Sequence, residues 1–244
     1  MTPSAFFRAA HALPFASLDT LIGAGGALVI APHPDDESLG CGALIAETVE
    51  TGRNAGVVVV SDGTGSHPNS KAFPAERLRA LRECEAQAAA GTLGLPTNRL
   101  SFLRLPDRRV PSEGLAAKRA ADAIAGAAEA IGATALFVSW RLDPHCDHRA
   151  AYALARAAQR RLGVKLYEYS IWGERLPLDR EPDQAPVGFR FDSQRQRGRK
   201  RAAIACHRSQ ASLLIDDDPQ GFTLDRSMIE AFVNRDEIFL EMRP

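Results

Sequence analysis

The sequence has few cysteines and no excess of either charge. Its 244 residues include four cysteines, and none of them forms a CxxC pair. Because a chain of this length can bury a large core without covalent cross-links, we expect reduced thiols rather than a disulfide scaffold. The 30 basic side chains balance the 30 acidic ones, so the formal net charge is zero. This balance argues against a general nucleic-acid-binding protein, which needs a basic surface.

Long apolar segments are also missing. No apolar run approaches the ~20 residues that a helix needs to span a bilayer. The pair Phe6-Phe7 is followed by Arg8, His11 and Pro14, which interrupt the apolar core that a signal peptide requires. We therefore expect a soluble, cytoplasmic protein without a membrane span.

What the sequence does contain is a regular alternation of strand and helix patterns. Apolar strands are predicted at 27–31, 56–61, 100–104, 134–139 and 164–171. Helical patterns lie between them, near 38–51, 74–91, 115–131 and 148–162. Repeated βα units predict an α/β fold with a mainly parallel sheet between two layers of helices.

The pattern becomes irregular after residue 172. A proline-rich loop is followed by a short strand at 189–191, a basic helix near 194–207, an acidic turn, and a final helix and strand. No linker or internal repeat separates these elements from the preceding ones. We therefore predict one domain over residues 1–244, with irregular elements on the substrate side over about 173–244.

The run APHPDDE at residues 31–37 directly follows the first predicted strand. It places one imidazole and three carboxylates at a strand end, which is where α/β proteins open their sites. His33 and Asp36 are candidate metal ligands, and Asp35 beside them is a candidate general base. Taken alone, the run also fits a turn, because proline and aspartate favour turns and aspartate caps helices.

A second polar run, DPHCDH at residues 143–148, follows the strand predicted at 134–139. The strands of a parallel sheet deliver their carboxyl ends to the same edge, so the two runs can meet in space. His33, Asp36 and His148 then form a set of two histidines and one carboxylate. Three protein ligands with one open position are the pattern of a catalytic zinc site.

The remaining groups near these strand ends suit supporting roles. His145 is expected to stabilise an oxyanion or to protonate a leaving amine. Asp147 is expected to orient His145 by a hydrogen bond that fixes its tautomer. Trp140 and Trp172 end two strands near the edge of the site, and both are candidates to stack on a sugar or an aglycone.

Three other polar segments each allow two interpretations. The glycine-rich loop 62–70 leaves the second strand beside the site, and it fits either a mobile lid or an ordinary surface loop. The motif HRSQ at 207–210 fits a polar helix end, where histidine is favourable near the helix dipole, or a part of the site. The basic cluster at 195–201 is interpreted as a solvated helix face, with phosphate contact on a nucleotide-linked or lipid-linked sugar as the alternative.

The order of PHPDDE, SDG, HxDH and HRSQ over about residues 26–210 resembles the LmbE/PIG-L family of zinc-dependent de-N-acetylases. The resemblance implies a Rossmann-like three-layer sandwich. It implies that His33, Asp36 and His148 are the metal ligands and that Asp35 is the general base. It also implies that His145, supported by Asp147, acts on the oxyanion or as an acid. The substrate contacts that it implies are Arg82, Asp107, Asp62 and His207. Two positions depart from the family pattern, because Asp143 stands where some members have an aromatic or small residue and Cys146 replaces a more frequent proline.

The resemblance implies hydrolysis of the acetamide of an N-acetylated amino sugar of the N-acetylglucosaminyl type, with release of acetate. Zn²⁺ is the expected cofactor, with Fe²⁺ or another divalent ion as the alternative. The expected partner is a small-molecule N-acetylated sugar or glycoconjugate and no nucleic acid, while homo-oligomerisation stays open. The alternatives are a zinc amidase acting on a different amide, such as a thiol conjugate, and a non-catalytic sugar-binding or nucleotide-binding protein of the same fold.

Overall fold

The computed structural model describes residues 1–241 and contains a sheet of seven strands. The strands are β1 (Gly26–Ala31), β2 (Ala55–Ser61), β3 (Leu100–Leu105), β4 (Ala133–Ser139), β5 (Lys165–Tyr169), β6 (Gly188–Phe191) and β7 (Glu237–Glu241). The helices are α1 (Pro3–Ala10), α2 (Leu18–Ile22), α3 (Asp36–Glu50), α4 (Ala75–Thr92), α5 (Gly114–Ile131), α6 (Cys146–Leu162), α7 (Arg197–Cys206), α8 (Arg208–Ala211) and α9 (Arg226–Asn234), with a 3₁₀ turn at Thr97–Arg99. The five strands and four helices predicted before residue 172 are present within two residues of their predicted bounds.

The strand order is β3-β2-β1-β4-β5-β7-β6. β1 to β5 run parallel, whereas β7 pairs antiparallel with both β5 and β6. β1 and β2 are buried along their whole length. Their uninterrupted aliphatic sequences follow from this position, because a central parallel strand is covered on both faces. The predicted α/β class with a mainly parallel sheet is confirmed.

Helices cover both faces of the sheet. On one face, α3, α4, α7 and α9 pack over side chains such as Val29 and Val57. On the other face, α5 and α6 pack over Leu28 and Val58. Successive side chains of a strand point to opposite faces, so neighbouring residues of β1 contribute to different cores. The result is the predicted three-layer sandwich.

α3 packs very closely on the sheet and is also held by a side chain of β7. A Cβ at Gly40 would lie 2.3 Å from the ring of Tyr169, so a larger residue would push the helix away. Within the helix, the backbone N–H groups of Ala43 and Leu44 donate to the carboxylate of Glu237, at 2.7 and 2.9 Å. β7 therefore fixes the position of the helix that begins with Asp36.

Lys200 departs from the prediction of a solvated basic face. Arg195, Arg199 and Arg201 are exposed, as predicted. The side chain of Lys200 points into the protein, is 1% exposed, and forms an ion pair of 2.7 Å with Glu237. A buried lysine is tolerated only when it is paired in this way. The solvated interpretation is therefore wrong for Lys200 and correct for its exposed neighbours.

The N-terminal helix α1 covers Trp140, which is fully buried. The ring centroids of Phe6 and Phe7 lie 5.2 and 5.3 Å from that of Trp140. The prediction that Trp140 stacks on a sugar is therefore wrong, because other aromatic side chains occupy its faces.

The irregular last third of the chain contributes β6 and β7 to the same sheet that the first part begins. The organisation as one domain over 1–244 stays a prediction, and its last residues, 242–244, lie outside the described part of the chain. Within residues 1–241, no helix combines the length and the apolar character needed to cross a membrane.

Candidate metal centre and active site

The candidate site lies where the strand order reverses. β1 has β2 on one side and β4 on the other, and connections that leave in opposite directions open a crevice at this point. The turn 33–36 follows β1, Asp107 follows β3, and the turn 143–148 follows β4 and begins α6. The two polar runs that the sequence places after strands therefore meet at one edge of the sheet.

Three side-chain atoms face one another at the centre of this site. Asp36 Oδ2 lies 3.2 Å from His33 Nδ1 and 3.2 Å from His148 Nε2, and the two nitrogens are 3.3 Å apart. Ligand atoms bound to tetrahedral zinc at about 2.0–2.1 Å lie about 3.3–3.4 Å from one another. The three atoms of His33, Asp36 and His148, here called the ligand triangle, therefore have the mutual distances that one small divalent cation requires. Its two histidines and one carboxylate suit zinc or ferrous iron.

Further carboxylates face the outer nitrogen of each histidine in the ligand triangle. Asp143 Oδ1 lies 3.2 Å from His148 Nδ1, and both Asp107 Oδ1 and Asp147 Oδ2 lie 3.3 Å from His33 Nε2. Outer carboxylates of this kind orient metal-binding histidines and raise their basicity. Each imidazole can then present a lone pair to the centre of the triangle. The surrounding residues thus fit a bound divalent metal.

The same carboxylates control the protonation of both histidines. Burial alone would lower the pKa of His148, but Asp143 and Asp36 outweigh it and raise this pKa to about 9. Burial likewise opposes a charge on His33, yet the carboxylates around it raise its pKa well above the ordinary value. The two histidines hold the pKa of Asp36 well below its usual range in spite of burial. The cluster therefore attracts positive charge, which a metal ion can supply in place of protons.

Asp147 does not orient His145 through its carboxylate, as its sequence position had suggested. The carboxylate accepts the backbone N–H groups of Arg108 and Val110 and faces His33. Instead, the backbone N–H of Asp147 donates to His145 Nδ1 at 3.2 Å. The reason is local, because His145 is the N-cap of α6 and its side chain accepts from the first turn of the helix.

His145 brings a third imidazole to the site. The centroid of its ring lies 4.6 Å from that of His33 and 5.1 Å from that of His148. Because Nδ1 accepts a hydrogen bond, the neutral ring carries its proton on Nε2. Burial and the nearby histidines lower the pKa of His145 to about 4. Of its two predicted roles, this arrangement favours donation of a hydrogen bond to an oxyanion over proton delivery by an imidazolium.

Asp35 lies beside the ligand triangle and lines the adjoining cavity. Its φ of +148° is rare for a residue other than glycine and is typical of strain retained at functional sites. Its Oδ2 accepts a hydrogen bond from Arg82 Nη2 at 3.2 Å. Burial raises the pKa of Asp35 to about 6, although the charge of Arg82 opposes this effect. A carboxylate with such a pKa suits general base catalysis near neutral pH.

The strained turn at Asp35 is supported by a buried pair, Glu37 and His207. Glu37 accepts the N–H of Asp35 at 3.0 Å and lies 3.0 Å from His207 Nε2. Burial opposes both charges, but their mutual attraction outweighs it, raising the pKa of His207 and lowering that of Glu37. His207 is 1% exposed and does not line the cavity. Its predicted role as a substrate contact is therefore corrected to support of the turn.

The other predicted substrate contacts have different surroundings. Arg82 and Asp107 line the cavity. Arg82 also donates to two backbone carbonyl oxygens and to Asp35, and Asp107 faces His33. Asp62 does not line the cavity, since its carboxylate accepts hydrogen bonds within its own loop and from the backbone of Asp107. Contact of these residues with a substrate stays a prediction.

The loop 62–70 is bound to the acidic turn that follows α8. Asp217 accepts the hydroxyl of Ser70 at 2.6 Å, and Asp218 accepts the backbone N–H of Asn69 at 2.8 Å. These hydrogen bonds lower the pKa of both aspartates. The contacts favour a fixed part of the site wall over a mobile lid.

A cavity of about 410 Å³ adjoins the ligand triangle. This volume lies in the range of about 300–1,000 Å³ that is usual for small-molecule sites. The polar residues along its wall include Asp35, Ser66, Arg82, Asp107, Arg108 and Gln210. A separate group of apolar side chains lines the rest, chiefly Trp172, Leu176, Phe222 and Leu224.

Sequence reasoning assigns no role to Asp143 or Gln210, which are both buried at the site. Asp143 is fully buried, faces His148 and accepts the backbone N–H of Trp172 at 3.0 Å. Its departure from the family pattern is the signal that could have singled it out. Gln210 is fully buried and donates to Ser66, but its Oε1 has no partner among residues 1–241 and the residue lines the cavity. The HRSQ motif, in which Gln210 is the last residue, is the corresponding signal.

A family model matches the part of the chain that carries the ligand triangle. Residues 28–159, more than half of the chain, match the GlcNAc-PI de-N-acetylase (PIG-L) family. The protein belongs to this family. The PIG-L match spans both polar runs and Asp35, so it contains every residue of the candidate metal centre. Among curated protein sequences, none is significantly similar to the chain.

Solved structures with the same fold include deacetylases. The N,N'-diacetylchitobiose deacetylase from Pyrococcus horikoshii is 18% identical, with a TM-score of 0.63 over 89% of this chain and 84% of that chain. The teicoplanin deacetylase Orf2 is 21% identical, with a TM-score of 0.59 over 78% of this chain and 86% of that chain. GalB, the 4-carboxy-2-hydroxymuconate hydratase from Pseudomonas putida KT2440, is 17% identical, with a TM-score of 0.62 over 90% and 97%. At these identities the likeness establishes the fold.

Proposed function

We propose that this PIG-L family member is a zinc-dependent hydrolase that removes the acetyl group from an N-acetylated amino sugar. The observation that carries the proposal is the ligand triangle of His33, Asp36 and His148, with Asp35 beside it in the same cavity. This arrangement combines a site for a divalent cation with a separate carboxylate base, which are the two needs of metal-assisted amide hydrolysis. Fe²⁺ is the alternative ion, because the same ligand types suit it.

Each residue of the site has a different role in the proposed reaction. A metal held by the ligand triangle would supply a Lewis acid that polarises the amide carbonyl and acidifies water. Asp35 accepts a proton from the water as its oxygen attacks the carbonyl carbon. His145 donates its Nε2–H to the carbonyl oxygen as negative charge develops there. When the C–N bond breaks, the proton on Asp35 passes to the amine nitrogen, and acetate and the amino sugar leave.

The polar part of the cavity supports a sugar as the substrate. Gln210 Oε1 is a buried acceptor without a partner among residues 1–241. An acceptor left in this state costs about 1–3 kcal/mol, which a hydroxyl group of the substrate would offset. Arg82 and Asp107 line the same cavity as Gln210. A site that hydrogen-bonds hydroxyl groups discriminates against analogues that lack them, such as acetyl-lysine.

The test is to measure acetate and free amine released by protein loaded with Zn²⁺ or Fe²⁺. The substrates are N-acetylglucosaminides and acetyl-lysine peptides, and the hydratase substrate of GalB serves as a third arm because GalB shares the fold. We expect acetate and amine in equal amounts from the sugars, and loss of both metal and activity in His148→Ala. Preference for the peptides would refute the sugar substrate, and hydration without acetate release would refute the hydrolase. Full metal content in His148→Ala would refute the ligand set.

A further inference from the structure

Four apolar side chains of the cavity come from residues beyond the family match. Trp172, Leu176, Phe222 and Leu224, here called the apolar wall, all follow residue 159, where the match ends. We propose that the apolar wall binds an aliphatic or aromatic group that the substrate carries on its N-acylated amino sugar. This inference rests on the proposed function and narrows its substrate class.

The apolar wall is held in place by backbone hydrogen bonds to both sides of the site. The rings of Trp172 and Phe222 meet edge to face, with centroids 5.3 Å apart. The N–H of Trp172 donates to Asp143 at 3.0 Å, and the N–H of Phe222 donates to the carbonyl oxygen of Ser66 at 2.7 Å. The wall is therefore formed before a substrate arrives, and little ordering cost opposes binding.

The wall runs from the interior of the cavity to its mouth. Leu224 is 5% exposed, whereas Leu176 is 48% exposed. A single exposed leucine is ordinary, but Leu176 continues a surface made by three other apolar side chains of one cavity. Covering such a surface favours binding by about fourfold for each methylene group removed from water. A sugar alone offers only its C–H faces to such a surface and would leave most of this contribution unused.

The basic cluster at 195–201 does not supply a phosphate site at the cavity. The exposed arginines of the basic cluster pair with acidic side chains, Arg195 with Glu47 and Arg201 with Glu230. None of the residues of that cluster lines the cavity. The cavity arginines, Arg82 and Arg108, do not belong to the apolar wall. The apolar wall itself carries no charge, so an apolar group fits it better than a phosphate does.

The apolar group has two chemical sources, the aglycone and the acyl chain. The first series of substrates is methyl, butyl, hexyl and phenyl N-acetylglucosaminide, and the second is glucosamine with acetyl, butanoyl or hexanoyl on nitrogen. N-Acetylglucosamine 1-phosphate is the charged comparison. We expect kcat/KM of the metal-loaded enzyme to rise at least about tenfold along one series, since several methylene groups become buried. A rise in the first series identifies the aglycone, and a rise in the second identifies the acyl chain.

The other outcomes separate this inference from the proposed function. Equal deacylation of all members of both series, or preference for the phosphate, would overturn the apolar wall as a binding element and leave the hydrolase intact. Release of no carboxylic acid from any sugar would overturn both proposals.

Matched variants test the apolar wall without disturbing the core. Leu176→Asp places a charge at the exposed end of the wall, and we expect it to reduce the preference for the longest apolar group over the shortest by about tenfold or more. Leu213 is 83% exposed and does not line the cavity, so Leu213→Asp is the control and should keep the wild-type preference. An unchanged preference in Leu176→Asp would overturn the inference.

Discussion

Asp143 Oδ1 lies 3.2 Å from His148 Nδ1, on the opposite side of the imidazole from Asp36. The other carboxylate oxygen of Asp143 accepts the backbone N–H groups of Ile171 and Trp172, at 3.3 and 3.0 Å. One buried carboxylate therefore contacts both a histidine of the ligand triangle and the backbone that begins the apolar wall. The orientation of His148, a candidate metal ligand, and the shape of the adjoining cavity depend on the same side chain.

Asp143→Asn should weaken metal binding by about 10–100-fold, because an amide raises the basicity of the histidine less than a carboxylate does. The measurement is competition for Zn²⁺ against a chelator of known affinity. Asp122→Asn is the control, since Asp122 lies on the exposed side of α5. Wild-type affinity in Asp143→Asn would show that this carboxylate only holds the backbone.

Asp35→Asn should retain the metal while kcat falls by about 10²–10⁴-fold, the usual contribution of a general base. The substitution preserves the shape of the side chain and removes its ability to accept a proton. Metal content and turnover are measured on the same preparation. Turnover close to wild type would show that Asp35 serves the turn and not the proton transfer.

His207→Gln should destabilise the metal-loaded protein in a pH-dependent way. The pKa of His207 is raised in the folded protein, so its contribution is complete below the unfolded pKa of about 6.5 and is lost as the pH rises through the folded pKa. The pKa of Glu37 is lowered, so its contribution is present above about pH 4.3 and is lost as the pH falls through its folded pKa. The variant should therefore lose most between these limits, about 3–5 kcal/mol for a broken buried pair.

The measurement for this pair is the free energy of unfolding in denaturant at several pH values. His11→Gln is the control, because His11 is an exposed histidine that pairs with Glu174 at the surface. The difference between His207→Gln and wild type should shrink from pH 6 towards alkaline pH. A difference that does not change with pH would contradict the ion pair.

Lys200→Met should lower the free energy of unfolding by about 3–5 kcal/mol, because it leaves the buried charge of Glu237 without its partner. Arg201→Met provides a matched control on the next residue, whose ion pair with Glu230 is exposed and should contribute little. Both are measured by denaturant unfolding. Equal effects of the two substitutions would contradict the different burial of these neighbours.

The meeting of His33, Asp36 and His148 could be predicted from the sequence because it depends on local features. His33 lies two residues after β1 and His148 lies in the first turn of the helix that follows β4, and parallel strands end at the same edge. The partner of Asp147 could not be predicted in this way. It depends on the N-cap geometry of His145, which turns the backbone N–H of Asp147 towards that ring and its carboxylate towards His33.

Burial by elements that are distant in the sequence could not be predicted either. Trp140 is covered by α1, which lies more than 100 residues earlier in the chain. Lys200 is buried in an ion pair with Glu237 on the last strand. Neither contact leaves a periodic signal near the residue concerned. The same limit applies to His207, whose position behind the site depends on its pairing with Glu37.

The hydrogen bonds from Ala43 and Leu44 to Glu237 also have a consequence for how the chain is made. Synthesis proceeds from the N-terminus, so His33, Asp36 and His148 emerge from the ribosome well before Glu237 does. Until then α3 lacks the carboxylate that holds its middle, and Lys200 lacks its partner. The order of translation therefore separates the appearance of the candidate metal ligands from the completion of the scaffold that fixes them.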